Sequence, residues 1–351
     1  MKNIFEYMKI VIGGNDMLVD EIWDFKSINM GRELEISGEF IYESAKKTMS
    51  ITGLNNQYEI NIILYTGSVG IERLQKIYLC LMQQNLNDKD SIPKCLMGHN
   101  HLELEKEIEK YTTEQISQNG KGLLGVFAEY YNNYRYANYI SKKSSGDLRM
   151  LFISFLKKQN GKFNFDEPCS LSQFEVFKRF YINELGKIAS YFYGLIEHKA
   201  RDINTYTYEI DSYSNAARVF WSTRRRSLYE QMVIEQNAIK ELLLYIYKNK
   251  RDSGVFRLLN HMESLKMDDA LVNDYLADFF EGKVNDWLID YVDDLYEEIG
   301  DIKKITERKE LLSLFGDRSA CFNFDDFEDG ENESQYNNMY DDDDVNIEEG
   351  M

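Results

Sequence analysis

Tyr65-Thr-Gly-Ser-Val-Gly-Ile-Glu-Arg-Leu-Gln-Lys-Ile-Tyr-Leu79 lies inside a segment, residues 55–85, that decides the fold class. In it Ile60, Ile63, Leu64, Ile71, Leu74, Ile77, Tyr78 and Leu81 recur near the spacing of a helix, so one face is apolar. Gly67 and Gly70 interrupt the pattern and predict either a kink or two helices meeting near Ser68.

Working outward, the same periodicity predicts further helices. Residues 34–50 read as one. Residues 85–98 are polar, carry Pro93 and read as a loop. Asn100 is a good N-cap with Glu103 three residues on, which predicts a helix from there to about Gln118. Asn119-Gly-Lys-Gly122 reads as a break, followed by a helix over 123–140 with Leu124, Phe127, Tyr131 and Tyr134 on one face, and another over 147–158. Residues 159–170, with Asn160-Gly161 and Pro168, form the best internal boundary. Beyond it Phe177, Tyr181, Leu185, Ile188, Phe192 and Leu195 step by three or four, a core stripe on a helix over 171–200. Residues 201–215 read as a connection, and helices are expected at 216–249, 254–266, 268–281, 284–299 and 302–315. At the other end, Ile10-Val-Ile12, Gly13-Gly14 and Met17-Leu-Val19 suggest a short hairpin or an irregular start.

With only two prolines in 351 residues, the chain suits a mostly helical protein, because proline breaks a helix interior. The expectation is an all-α protein of two packed helical lobes with a disordered acidic C-terminal tail. The division is a short N-terminal segment 1–34, a first lobe 35–158, a helical bundle 168–316 and a tail 317–351.

Net charge is −19, but twelve acids and no Lys or Arg lie in residues 321–351. Residues 1–320 therefore hold 48 acids against 41 bases, a net −7. A basic surface over the whole protein, the usual sign of tight nucleic-acid binding, is not indicated, while a local patch stays open. Cys80, Cys95, Cys169 and Cys321 stand at no metal-ligand spacing and read as reduced thiols. No apolar run reaches the ~20 residues of a membrane helix, and no basic-then-apolar leader is seen. A cytoplasmic protein without metal or cofactor and without membrane contact is expected. Walker, dinucleotide and Gly-x-Ser-x-Gly motifs are absent from the sequence.

Four short elements occur in a familiar order. They are Tyr65-Thr66-Gly67, then Glu72-Arg73-Leu74-Gln75-Lys76, then Gly98-His99-Asn100-His101-Leu102, then Arg135-Tyr136. In that order they resemble the HEPN-like helical domains, over about residues 35–158. The resemblance implies a small helical module, an association with bacterial antiviral defence or toxin-type systems, and in some members ribonuclease activity. Catalytic members carry Arg, four to six residues, then His on one helix. Here the nearest such pair is Arg257-Leu-Leu-Asn-His261, with three intervening residues and outside the matched region.

The candidate site residues follow. His99 and His101 flank a helix N-terminus, which favours a bound anion. With Arg135 they form a candidate catalytic or phosphate-binding set; alternatively His99 packs the loop and fixes the helix entry. Arg218, Trp221, Arg224, Arg225 and Arg226 form the one dense basic and aromatic segment, suited to phosphates and stacked bases, or to a solvated helix start paired with acids such as Glu230. Asp341, Asp342, Asp343 and Asp344 form a candidate contact for a basic partner. Three functions stay open: binding of RNA or a partner protein (or self-association) in a defence system, a metal-independent ribonuclease with a non-standard Arg/His site, and a non-catalytic inhibitor acting through the acidic tail.

Overall fold

Asn56 starts the central helix. Its Oδ1 accepts from the backbone N–H groups of Tyr58, at 3.0 Å, and Glu59, at 3.4 Å, satisfying donors that a helix start leaves unpaired. In the computed structural model, which describes residues 21–83, 94–139, 148–157, 171–248, 262–282 and 284–314, every regular element is helical and no strand occurs among the described residues. The all-α expectation holds.

The helices are α1 (Glu21–Asp24), α2 (Met30–Ser50), α3 (Gln57–Met82), α4 (Lys94–Met97), α5 (His101–Ile108), α6 (Gln118–Glu129), α7 (Leu148–Lys157), α8 (Leu171–Asp202), α9 (Asn215–Phe220), α10 (Leu228–Lys248), α11 (Val272–Glu281), α12 (Asp286–Ile299) and α13 (Ile302–Ser313). Short π-helical turns at Phe25–Asn29 and Tyr130–Tyr134 continue α1 and α6.

α3 runs unbroken through Gly67 and Gly70, against the alternative of two helices meeting near Ser68. The glycines mark close approach instead. A Cβ on Gly67 would lie 2.8 Å from Tyr181 Oη and 2.9 Å from Ser44 Oγ, and one on Gly70 would lie 2.6 Å from Ile41 Cγ1. α3 can bury Ile60, Ile63, Leu64, Ile71, Leu74, Ile77 and Leu81 because α2, α5, α6, α7 and α8 surround it.

The chain divides into two compact units, 1–236 and 237–351. The boundary expected at 159–170 is therefore displaced. The long helix α8 belongs to the first core, where Tyr181 Oη and Ser44 Oγ share a buried hydrogen bond of 2.9 Å. Phe152 of α7 stands edge-on to Phe177 and Tyr181, at 5.2 and 5.3 Å. Lys178 Nζ donates to Met49 O in the last turn of α2, at 3.0 Å, a cation at a carbonyl end.

Other boundaries shift for local reasons. Residues 21–30 are helical rather than hairpin or irregular, and residues 1–20 lie outside the described set. The expected break at 119–122 is the first turn of α6, capped by Ser117 Oγ accepting from Gly120 N at 3.0 Å. The helix from Asn100 ends at Ile108 rather than Gln118. The helix expected over 216–249 is interrupted at 221–227. There Ser227 and Glu230 form a reciprocal cap, Ser227 N donating to Glu230 Oε2 at 2.9 Å and Glu230 N to Ser227 Oγ at 3.3 Å, and α10 starts afresh. Residues 262–266 are not helical, and 254–261 lie outside the described residues, as do 159–170 and 315–351.

In the second unit, Gly282 and Gly300 end α11 and α12 in the left-handed region, at φ 63° and 64°, where a side chain would be strained. Among the described residues, no helix is long and apolar enough to cross a membrane.

Candidate functional site

Asn100 caps α5 as the sequence predicts, its Oδ1 accepting from Leu102 N at 3.1 Å and Glu103 N at 3.4 Å. That cap sends its two neighbouring histidines in opposite directions. His101 turns inward and is fully buried. Its Nδ1 donates to Gln75 Oε1 at 2.9 Å, Gln75 Nε2 returns to His101 O at 3.0 Å, and Phe127 packs at 5.7 Å. Burial pushes this imidazole down to about 4, so it is a neutral core group. As a candidate catalytic residue, His101 is displaced from the site: the helix register that exposes His99 buries it.

His99 points the other way. Its Nδ1 donates to Glu72 Oε1 at 2.9 Å, and its ring lies 4.5 Å from that of Tyr131 at an interplanar angle of 30°. Lys76, one turn on from Glu72, donates to the same Oε1 at 2.7 Å. Burial pushes the Glu72 carboxyl up, but the hydrogen bonds and charges of Lys76 and His99 outweigh it, and Glu72 is held below the usual carboxylate range. Glu72 is thus ionised, and by accepting the Nδ1–H of His99 it fixes the orientation of that ring.

Arg135 completes the group. It lies just past the π turn Tyr130–Tyr134, where its N–H reaches back five residues to Tyr130 O at 3.0 Å. Its guanidinium stands over the rings of Tyr131, Tyr136 and Tyr65, at 4.6, 4.9 and 5.2 Å, and donates to Tyr131 Oη. Among the described residues it has no carboxylate partner. The rings stabilise the cation without neutralising it.

Glu72, Lys76, His99, Tyr65, Tyr131 and Arg135 line one open cavity of about 420 Å³, with Met30, Glu33, Val69, Arg73, Ile77 and Cys80. Arg73 pairs with Glu33. Burial pushes the Cys80 thiol up to about 11, so it is a neutral thiol, free as expected. The side chains of Cys95, Cys169 and Cys321 lie outside the described set. Three cations, Arg73, Lys76 and Arg135, face two acids, Glu33 and Glu72, so the cavity is net positive by one charge before His99 is counted. Such a lining suits an anion, and its flat rings suit a base or another planar group.

The structure brings His99 and Arg135 together as the sequence suggests and adds Glu72, Lys76, Tyr65 and Tyr131. Glu72, Lys76 and Tyr65 already stood in the quoted motifs, but nothing in the sequence marked them as partners of His99. Among the described residues, no group of His, Cys, Asp and Glu could hold a metal ion.

The second candidate segment is dispersed. Arg218 stands over the Tyr42 ring at 5.6 Å, donates to Asn215 Oδ1 at 2.8 Å, and lies 3.8 Å from Glu235. Trp221 and Arg224 line a different cavity of about 370 Å³ with Tyr193, Glu197, Arg201, Tyr208, Glu209 and Ile210. There Glu197 holds both Arg201, at 3.0 Å, and Arg224, at 2.5 Å, so two cations and two acids cancel. Arg225 and Arg226 are exposed and make no ion pair among the described residues, since Glu230 is engaged in the α10 cap. Asp341, Asp342, Asp343, Asp344, Arg257 and His261 lie outside the described residues.

No protein-family model matches the chain, and neither the curated proteins nor the solved structures contain a match to it.

Proposed function

We propose that the protein binds RNA through the His99–Arg135 cavity, as a component of an antiviral defence or toxin-type system of the kind the HEPN-like resemblance implies. The observation that carries the binding reading is the state of Arg135. Among the described residues it is a guanidinium held among three tyrosine rings and in ion-pair contact with no carboxylate, in a cavity with a surplus of positive charge. An RNA phosphate supplies the missing anion, and Tyr65, Tyr131 and Tyr136 offer stacking surface to unpaired bases. The system it serves is drawn from the sequence resemblance alone.

A second reading is favoured by the Glu72–His99 hydrogen bond. A carboxylate on Nδ1 leaves Nε2 as a general base, and Arg135 and Lys76 are placed to steady a phosphate, so metal-independent RNA cleavage is open to this site. Filter binding of a mixed single-stranded RNA pool in EDTA tests both readings, with the recovered RNA sized on a gel. Binding by wild type that falls in Arg135→Ala and His99→Ala supports the first reading. Shortened RNA that disappears in His99→Ala adds the second. RNA retention that neither substitution changes refutes both.

A further inference from the structure

The second unit hides little of its apolar surface. Among the described residues from Asn237 onward, only Asp278 and Leu295 are buried. α12 is conventional: Leu288, Tyr291, Val292, Leu295 and Tyr296 recur on its less exposed face and its acids lie opposite. α11 is only partly covered: Tyr275, whose ring lies 5.9 Å from that of Trp287, and Phe280 are half-buried. Among the described residues its one buried side chain is an acid, Asp278, which accepts from Asn285 N at 3.1 Å and so ties α11 to the start of α12. Its other large apolar residues, Val272, Leu276 and Phe279, are 44%, 37% and 60% exposed. They follow one another by four and three residues and therefore form a stripe on one face.

The charge around this stripe has one sign. α11 and α12 carry nine acids and no Lys or Arg, and residues 262–314 hold fifteen acids against six bases, a net charge of −9. Where this unit covers its own rings it uses lysines. Lys240 Nζ lies 5.9 Å over Phe280, and Lys309 Nζ lies 5.0 Å over Tyr296. Among the described residues no such cation lies over Phe279.

We infer that the Val272–Leu276–Phe279 stripe is a docking surface for a cationic amphipathic helix of a partner protein. Apolar residues at i, i+4 and i+7 match the anchor spacing of helix-on-helix recognition, and the −9 field draws a basic partner and repels others. A second copy docked through the same face would set acid against acid. RNA and anionic lipid are repelled in the same way, so this surface is separate from the RNA-binding cavity proposed above.

The test is a fluorescence anisotropy titration of the full-length protein into a labelled synthetic 14-residue helix with one Leu face and one Lys face. Two control peptides are used, one with the same composition scrambled and one with Glu in place of Lys. Saturable binding is expected, about tenfold weaker in Leu276→Ser/Phe279→Ser and weaker again when salt is raised from about 50 to about 500 mM. Both substituted side chains are exposed, so circular dichroism should show unchanged helix content. Absence of binding, equal binding of the scrambled or Glu peptide, or full affinity in the double variant overturns the inference. So does sedimentation showing a wild-type dimer that the double variant dissolves, since the occupant is then a second copy.

Discussion

Substituting Gly67 by Ala tests whether α8 belongs to the core of the first unit. In an unobstructed helix interior the change is stabilising by up to about 1 kcal/mol, because alanine orders the backbone at less entropic cost. At Gly67 the new Cβ would sit 2.8 Å from Tyr181 Oη, 2.9 Å from Ser44 Oγ and 3.1 Å from Phe127 Cζ. Two of these groups are rigid ring ends, and the third is the partner in the buried Ser44–Tyr181 hydrogen bond, which must lengthen. Overpacking costs about 1–3 kcal/mol and a weakened buried hydrogen bond about 1 kcal/mol. The clash outweighs the propensity gain, and Gly67→Ala should destabilise by about 1–3 kcal/mol, lowering the thermal midpoint by roughly 3–10 °C. Gly194→Ala, on the exposed side of α8 with nothing within 4 Å of its Cβ, is the matched control and should raise stability by about 0.5–1 kcal/mol. Helix ellipticity of the full chain followed through heat or urea reads both. A Gly67→Ala protein as stable as wild type would show that α8 does not pack against α3 and α2 as described.

Arg135→Ala should weaken RNA binding about tenfold or more, and Arg135→Lys should restore only part of it, because lysine keeps the charge but not the planar stack on three tyrosines; filter binding at fixed salt reads the order. Asn100→Ala should cost about 1 kcal/mol of stability in urea melts, through loss of the α5 cap, and should reduce RNA affinity because His99 immediately precedes that cap. Glu105 is buried, and burial, followed by the charge of Glu109, pushes its carboxyl up to about 7. Its contribution is greatest when protonated, below about pH 4.5, and is lost as pH rises through 7, so Glu105→Gln should stabilise the protein at pH 8 by on the order of 1–3 kcal/mol and change little at pH 4.5. His101 acts with the opposite sign. Its imidazole is held down to about 4, so its contribution is present above about pH 6.5 and is lost as pH falls through 4; Glu105→Gln melts taken from pH 4 to 8 should therefore rise up to about 6.5 and then level off.

The helical class was legible because its signals are local. The stripes of α3 and α8, the Asn100 cap and the scarcity of proline each act within a few turns. What was lost is nonlocal. Gly67 and Gly70 looked like breaks because a sequence shows their missing side chains but not the helices that need the space. The boundary at 159–170 was read from Pro168 and Asn160-Gly161, which mark a connection and say nothing of which core the next helix joins. At the site, the order of the motifs placed His99 with Arg135, but the opposed fates of His99 and His101 depend on helix register. The π turn at Tyr130–Tyr134, which carries Tyr131 and leads directly into Arg135, has no sequence signature. The Arg218–Arg226 segment reads as one basic patch by proximity, whereas the turn at 221–227 distributes its arginines among separate surroundings.

The most direct test of the cavity as an RNA site is ultraviolet cross-linking of bound single-stranded RNA, with the modified peptides mapped by mass spectrometry. Cross-links at Tyr65 or Tyr131 that disappear in Arg135→Ala are the predicted result. Cross-links confined to residues outside the cavity, or unchanged by that substitution, would contradict the account.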